Sequence, residues 1–274
     1  MLRLRVLSAI VGVPILLGLA VAGGVWYVGA VVVSAIIGTL EVFSMLRGAG
    51  YRPVVPLGVA LAIGIVLDGL AADTRVLPAL LVAAMLVGLL TMMRRAETDG
   101  AIVDWALTLA PALYVGGTMH YLISLRWLDD GLLWVLLVLI CTWVCDIAAF
   151  FVGRRWGKVK LAPRLSPGKS VEGAIGGLVG AVLAAILLGP ALVGLLVGTG
   201  LGVSSHPGLV RLAGLGLVIG VSAIAGDLME SFIKRQCGAK DSGALIPGHG
   251  GVLDRIDSVL LAVVGAYFYV VMTS

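Results

Sequence analysis

Charge is scarce in this sequence. Asp, Glu, Lys and Arg make up 12% of its 274 residues, aromatic residues 6%, and there are 3 histidines and 3 cysteines. A soluble domain of this length cannot cover its surface with so few charges, so a soluble enzyme or binding module is excluded. Alternation of apolar and polar residues is also missing, which argues against a membrane β-barrel. The cysteines carry no framework. Cys141 and Cys145 share one face of a predicted helix but have no nearby Cys or His to complete a metal set, so they read as small packing residues. Cys237 falls in a predicted cytoplasmic loop, where disulfides are rare.

What the chain has instead is hydrophobic surface, 60% of its residues, with a mean hydropathy of +1.13. A helical bundle is the remaining way to satisfy backbone groups in lipid. The expected fold class is therefore all-α, a polytopic integral membrane helical bundle. The 39 glycines suit such a bundle, because small residues let helices approach closely.

Hydropathy and length mark nine spans of about 20 residues each, near 5–22, 25–46, 54–72, 76–93, 101–125, 132–152, 173–199, 208–232 and 252–272. The seventh contains Pro190, a point where it is expected to kink or break. With a cytoplasmic N-terminus, 16 of the 19 Lys and Arg fall on the cytoplasmic side, and only Arg75, Arg126 and Arg211 on the other. The positive-inside rule therefore supports nine spans with the C-terminus outside. Arg3, Arg5 and the Ala20-Val21-Ala22 stretch also fit a cleaved signal peptide. The apolar run is long for a signal and the next span follows at once, which favours a retained first helix. No internal repeat, low-complexity segment or soluble domain is evident. The chain reads as a single membrane domain, 1–274, with N-terminal helices over 1–130 and catalytic helices and cytoplasmic loops over 131–274.

Polar chemistry is confined to two cytoplasmic segments, 153–172 and 233–251, and to the helix ends beside them. The stretch Gly226–Ser258 reads GDLMESFIKRQCGAKDSGALIPGHGGVLDRIDS and carries five carboxylates, Asp227, Glu230, Asp241, Asp254 and Asp257. Asp227 and Glu230 are three apart on one helix face, with Ser231 and Lys234 continuing it, and Asp254 and Asp257 are three apart at the next helix start. Aspartates brought together repel unless a cation lies between them. Hard oxygen ligands suit Mg²⁺, which also takes phosphate oxygens. The alternative is a set of salt bridges with Lys234, Arg235 and Arg255.

Pro247-Gly248-His249-Gly250-Gly251 is a turn whose glycines let the backbone approach an anion, or simply join two helices. The other segment, GRRWGKVKLAPRLSPGKSVEGAIGG, is strongly basic, which also serves orientation and anionic headgroups. Within it, Ser166-Pro167-Gly168-Lys169-Ser170 is not a P-loop, since Pro163 stands where that pattern needs Gly. It does place a lysine and two hydroxyls just before a helix start, where phosphate is favoured. Asp146, inside the sixth span, either completes the site or pairs with a loop cation. Glu41, Asp68 and Asp104 have no motif around them and read as packing or interface acids. His120 and His206 read as interface residues.

Four groups of residues, SFIKR at 231–235, KDSG at 240–243, PGHGG at 247–251 and DRID at 254–257, resemble the signature of phosphatidate cytidylyltransferases, the CDP-diacylglycerol synthases. The match spans 27 residues, Ser231 to Asp257, in the family's order and spacing. SPGKSVEG at 166–173 and DIAAFFVGRRWG at 146–157 are similar to two further family motifs. The resemblance covers the C-terminal half of the chain. It implies a metal-dependent nucleotidyltransferase that converts CTP and phosphatidate into CDP-diacylglycerol and pyrophosphate for phospholipid synthesis. It also implies a homodimer in the inner (plasma) membrane with its site facing the cytoplasm. Asp227, Asp254 and Asp257 match the metal-binding aspartates, for Mg²⁺ and a possible second cation. Lys169 joins them as a catalytic candidate. Substrate contacts are expected from Ser166, Ser170, Lys234, Arg235, Lys240, Asp241, His249, Gly250, Gly251, Arg255 and Asp146. CTP, phosphatidate and membrane lipid are the expected partners, with no nucleic acid.

Two rivals come from other classes. A transporter places its ion site near the midplane, often with repeats, whereas these acids cluster at one face. A phosphotransferase that consumes CDP-lipid resembles a DGxxAR pattern followed by GxxxDxxxD, which is missing here.

Overall fold

A computed structural model describes residues 2–71, 76–95, 99–201, 203–245 and 250–274, with side chains from Val11 onward. Its helices are α1 (Leu2–Ala22), α2 (Gly24–Gly48), α3 (Val55–Asp68), α4 (Val76–Met93), α5 (Ala101–Pro111), α6 (Gly117–Arg126), α7 (Gly131–Trp156), α8 (Val171–Gly198), α9 (Leu209–Gln236) and α10 (Leu253–Thr273). A π-helical turn, Ala112–Gly116, joins α5 to α6, so that Ala101–Arg126 is one continuous rod. Counted that way, each span read from hydropathy overlaps one helical stretch.

Seven stretches among the described residues are long and apolar enough to cross a bilayer. Helix α3 is not, having 14 residues. At 1.5 Å per residue it spans roughly 21 Å, short of the ~30 Å hydrocarbon core. Hydropathy predicts that it continues to residue 72, but it ends at Asp68. A methyl group at Gly69 would lie 2.8 Å from the His120 carbonyl oxygen, so the chain leaves the helix where it presses against α6. Helix α8 runs unbroken through Pro190, so of the expected kink or break the break does not occur. Neighbouring helices re-satisfy the freed backbone groups in such bundles.

The chain forms two compact units, Met1–Ser124 with Lys234–Arg255, and Leu125–Ile233 with Ile256–Ser274. Each unit is built from two separate stretches of the chain. In the first unit Leu61, Ala62 and Ile65 of α3 pack with Ala84 of α4 and with Ala112. The Tyr27 hydroxyl donates to the Leu122 carbonyl at 2.9 Å. Asp104 pairs with Arg95 at 3.0 Å and accepts from the Arg52 backbone at 2.7 Å.

In the second unit α7 and α8 lie backbone to backbone. A methyl at Gly177 would fall 2.9 Å from the Cys145 carbonyl oxygen, so only glycine permits this approach. Cys141 and Cys145 are fully buried packing residues. The basic segment between the two helices contains an antiparallel hairpin, β1 (Lys160–Ala162) and β2 (Ser166–Ser170), with Lys160 opposite Ser170 and Ala162 opposite Ser166. Ser170 caps α8, its hydroxyl accepting from the Gly173 N–H at 3.1 Å. Glu172 accepts from the backbones of Lys158 at 3.1 Å and Val159 at 3.2 Å, tying the hairpin's entry to the start of α8.

Candidate active site

In the second unit, carboxylate oxygens of Asp227, Glu230 and Asp257 all lie within 4.8 Å of one another. Gly226 makes this convergence possible. A methyl there would lie 2.6 Å from the Asp257 carbonyl oxygen, so α9 and α10 touch at this level and bring their acids together. Glu230 is completely buried, whereas Asp227 and Asp257 are half-buried. Asp257 accepts from the Ser258 backbone at 2.7 Å, and the Ser258 hydroxyl donates to Asp146 at 3.3 Å.

Lys169, on β2, pairs with Asp227 at 2.5 Å. Beside this pair a cavity of about 520 Å³ is lined by Asp146, Phe150 and Arg154 of α7, Ser166, Lys169 and Ser170 of β2, and Asp227 of α9. Three converging carboxylates are an all-oxygen donor set, which suits a hard cation. The residues present therefore fit a divalent ion. The cavity beside them has the lysine, arginine and hydroxyls that a phosphate requires.

In the first unit Lys234 and Asp254 form a buried pair at 2.7 Å, with side chains 12% and 5% exposed. The second oxygen of Asp254 accepts from the Ser242 backbone at 2.9 Å, the Ser242 hydroxyl at 3.0 Å and the Gly251 backbone at 2.8 Å. Gly250 has a φ of 82°, and a methyl on it would lie 2.6 Å from the Asp254 carboxylate. The glycine pair is thus needed for the chain's own carboxylate to come close.

The sequence-predicted residues divide accordingly. Asp146, Ser166, Lys169, Ser170 and Asp227 line the cavity, and Asp257 joins Asp227 and Glu230. Lys234, Asp254 and Gly251 interlock in the other unit. Arg235, Lys240, Asp241 and Arg255 are exposed, and Arg235 closes the turn after α9 by donating to the Ala239 carbonyl at 3.0 Å. His249 lies outside the described residues, with Pro247 and Gly248. Burial raises the pKa of the Cys237 thiol, which lowers its thiolate fraction at neutral pH.

Sequence reasoning left Glu230, Glu41, Phe150 and Arg154 out of the candidate set. The three-residue spacing from Asp227 was the available signal for Glu230. Phe150 and Arg154 stand four apart on α7, one turn beyond Asp146. Glu41 had no local signal at all.

A model of the cytidylyltransferase family matches residues 3–273. The chain belongs to the cytidylyltransferase family. Among its relatives, the phosphatidate cytidylyltransferase of Synechocystis sp. is 30% identical over 98% of this chain and 96% of its own length. That of Pseudomonas aeruginosa is 56% identical over 50% of this chain and 46% of its own. That of Bacillus subtilis is 36% identical over 61% and 58%. In this cytidylyltransferase family member, the acid cluster and the cavity share Asp227, so a cation held by the acids and a phosphate in the cavity would be neighbours.

Proposed function

We propose that the chain transfers a cytidylyl group from CTP to phosphatidate, giving CDP-diacylglycerol and pyrophosphate. The observation that carries the chemistry is Asp227, which belongs at once to the three-acid cluster, to the Lys169 pair and to the cavity wall. The nucleophile, a phosphate oxygen of the lipid, is already anionic at neutral pH and needs little help from a base. It bonds to the α-phosphorus of CTP as the bond from that phosphorus to the bridging oxygen breaks, and the electron pair leaves on pyrophosphate. The barrier is mainly repulsion between anions, so positioned cations are the effective catalytic tool.

Asp227, Asp257 and Glu230 are the residues that would hold Mg²⁺, and Asp254 is a further proposed ligand whose oxygens now serve Lys234, Ser242 and Gly251. Bound there, the ion supplies charge neutralisation and a template for phosphate oxygens. Lys169 and Arg154 offer positive charge to phosphates in the cavity, with Ser166 and Ser170 as hydroxyl donors. Lys234, Arg235, Lys240 and Arg255 are the remaining proposed phosphate contacts, with Asp241, His249, Gly250 and Gly251 around them. Asp146 orients Ser258 beside Asp257. The enzyme is proposed to act as a homodimer in the inner (plasma) membrane of the cell. Purified protein given labelled CTP and phosphatidate should form CDP-diacylglycerol and pyrophosphate in equal amounts, only with a divalent cation. Absence of both products with cation present would sink the proposal.

The site is proposed to face the cytoplasm, where CTP is found, while the lipid enters from the inner leaflet. The charge sorting gives a direct check. In intact cells a membrane-impermeant maleimide should miss Lys158→Cys and Lys240→Cys and label His206→Cys, all at exposed positions. Ready labelling at residue 158 or 240 would overturn the orientation.

A further inference from the structure

We propose that Glu41 is a positioning residue for cytidylyl transfer, acting through Ser242 on Asp254 and Lys234. Glu41 lies on α2 and is 8% exposed. A carboxylate in a membrane helix is costly unless it is partnered. This one accepts from the Ser242 hydroxyl at 2.9 Å and from the backbone N–H groups of Val252 and Leu253, each at 2.8 Å. Leu253 begins α10, so Glu41 supplies the anionic cap for that helix from about 210 residues earlier in the chain.

The arrangement is more specific than a cap. The Ser242 hydroxyl sits 2.9 Å from Glu41 Oε2 and 3.0 Å from Asp254 Oδ2. A hydroxyl has one proton and can donate to only one of them at a time. The two carboxylates therefore share one donor, which couples the bonding of Asp254 to Glu41. Asp254 in turn holds the Lys234 ammonium through its other oxygen. Two glycines keep the space clear. A methyl at Gly243 would lie 2.8 Å from Glu41 Oε1, and one at Gly251 would collide with Glu41 and Ser242.

The inference rests on the reading of Asp254 and Lys234 as part of the working site, and Asp254→Asn alone tests that reading. For Glu41 the variants are Glu41→Gln, which keeps volume but turns an amide NH₂ toward either the Val252 N–H or the Leu253 N–H and Ser242 hydroxyl together, and Ser242→Ala, which removes only the shared donor. Kinetics are measured on the full chain in lipid, per folded molecule, with CTP and phosphatidate varied separately. Glu41→Gln is expected to lower kcat/KM roughly 10–100-fold, the loss typical of a partner that orients a functional group. The Glu41→Gln/Ser242→Ala double variant should lose no more than the worse single variant, because both act through Asp254. A purely structural Glu41 would reduce the folded yield and leave kcat and KM of the folded protein unchanged, and that result overturns the proposal. Multiplying losses in the double variant overturn it too. Inactive Asp254→Asn beside a normal Glu41→Gln rejects Glu41 alone, whereas normal turnover in Asp254→Asn rejects the underlying reading and the proposal with it.

Discussion

Asparagine in place of Asp257 or Asp227 is expected to reduce cytidylyl transfer by ~10²-fold or more, the loss typical when a group that stabilises transition-state charge is removed. Each change keeps the side-chain shape while deleting one negative charge and one strong oxygen donor. The charge matters because the two aspartates and Glu230 lie within 4.8 Å of one another, with Glu230 fully buried. Glu230→Gln should shrink the stabilisation that added Mg²⁺ gives, since a ligand stabilises only what binds it. Wild-type protein should gain stability with Mg²⁺, and Asp257→Asn should gain little. Near-normal turnover in both aspartate variants would return these residues to structural ion pairing. Asp254→Asn separates two roles for that residue. A ligand loses the Mg²⁺-dependent shift, whereas an anchor of Lys234 keeps the shift and raises the KM for CTP.

The helices were legible because most are long apolar runs, separated by charges or by glycine-rich turns. The length of α3 was not, since its end is set by Gly69 pressing on His120 rather than by composition. The β1–β2 hairpin was hidden for a related reason. Its strands are short, Pro163 follows the first and Pro167 lies within the second, and Glu172 ties the hairpin's entry to the start of α8 by bonding back to Lys158. Asp227 and Asp257 were visible as helix-spaced acids within a known motif order. Glu230 shares the Asp227 face, but spacing says nothing about depth, and depth is what places it at 0% exposure inside the cluster. Glu41 was read as a packing acid because its partners, Ser242 and the start of α10, lie more than 200 residues away. A motif records residues that recur together along the chain. It does not record a distant carboxylate that holds the motif in shape.

Lys169→Ala is the second change expected to have a large effect. Lys169 pairs with Asp227 at 2.5 Å and faces the cavity beside Arg154, Ser166 and Ser170. Lysine carries a compact charge on a flexible stem, so it can leave one carboxylate oxygen for a phosphate without changing the backbone. If it neutralises charge growing on the leaving pyrophosphate, kcat and kcat/KM fall together by ~10²-fold or more. Lys169→Arg should recover little, because a planar fork does not fill the place of a point charge. If instead Lys169 is only the counterion of Asp227, its removal frees a metal-holding carboxylate, so the Mg²⁺ concentration for half-maximal rate falls while kcat is kept. A third role, drawing anionic lipid to the membrane surface, raises the apparent KM for phosphatidate, leaves kcat intact and fades at high salt through screening. Measuring kcat, both substrate KM values and the Mg²⁺ dependence at low and high ionic strength assigns the role, and an unchanged kcat removes Lys169 from the catalytic set.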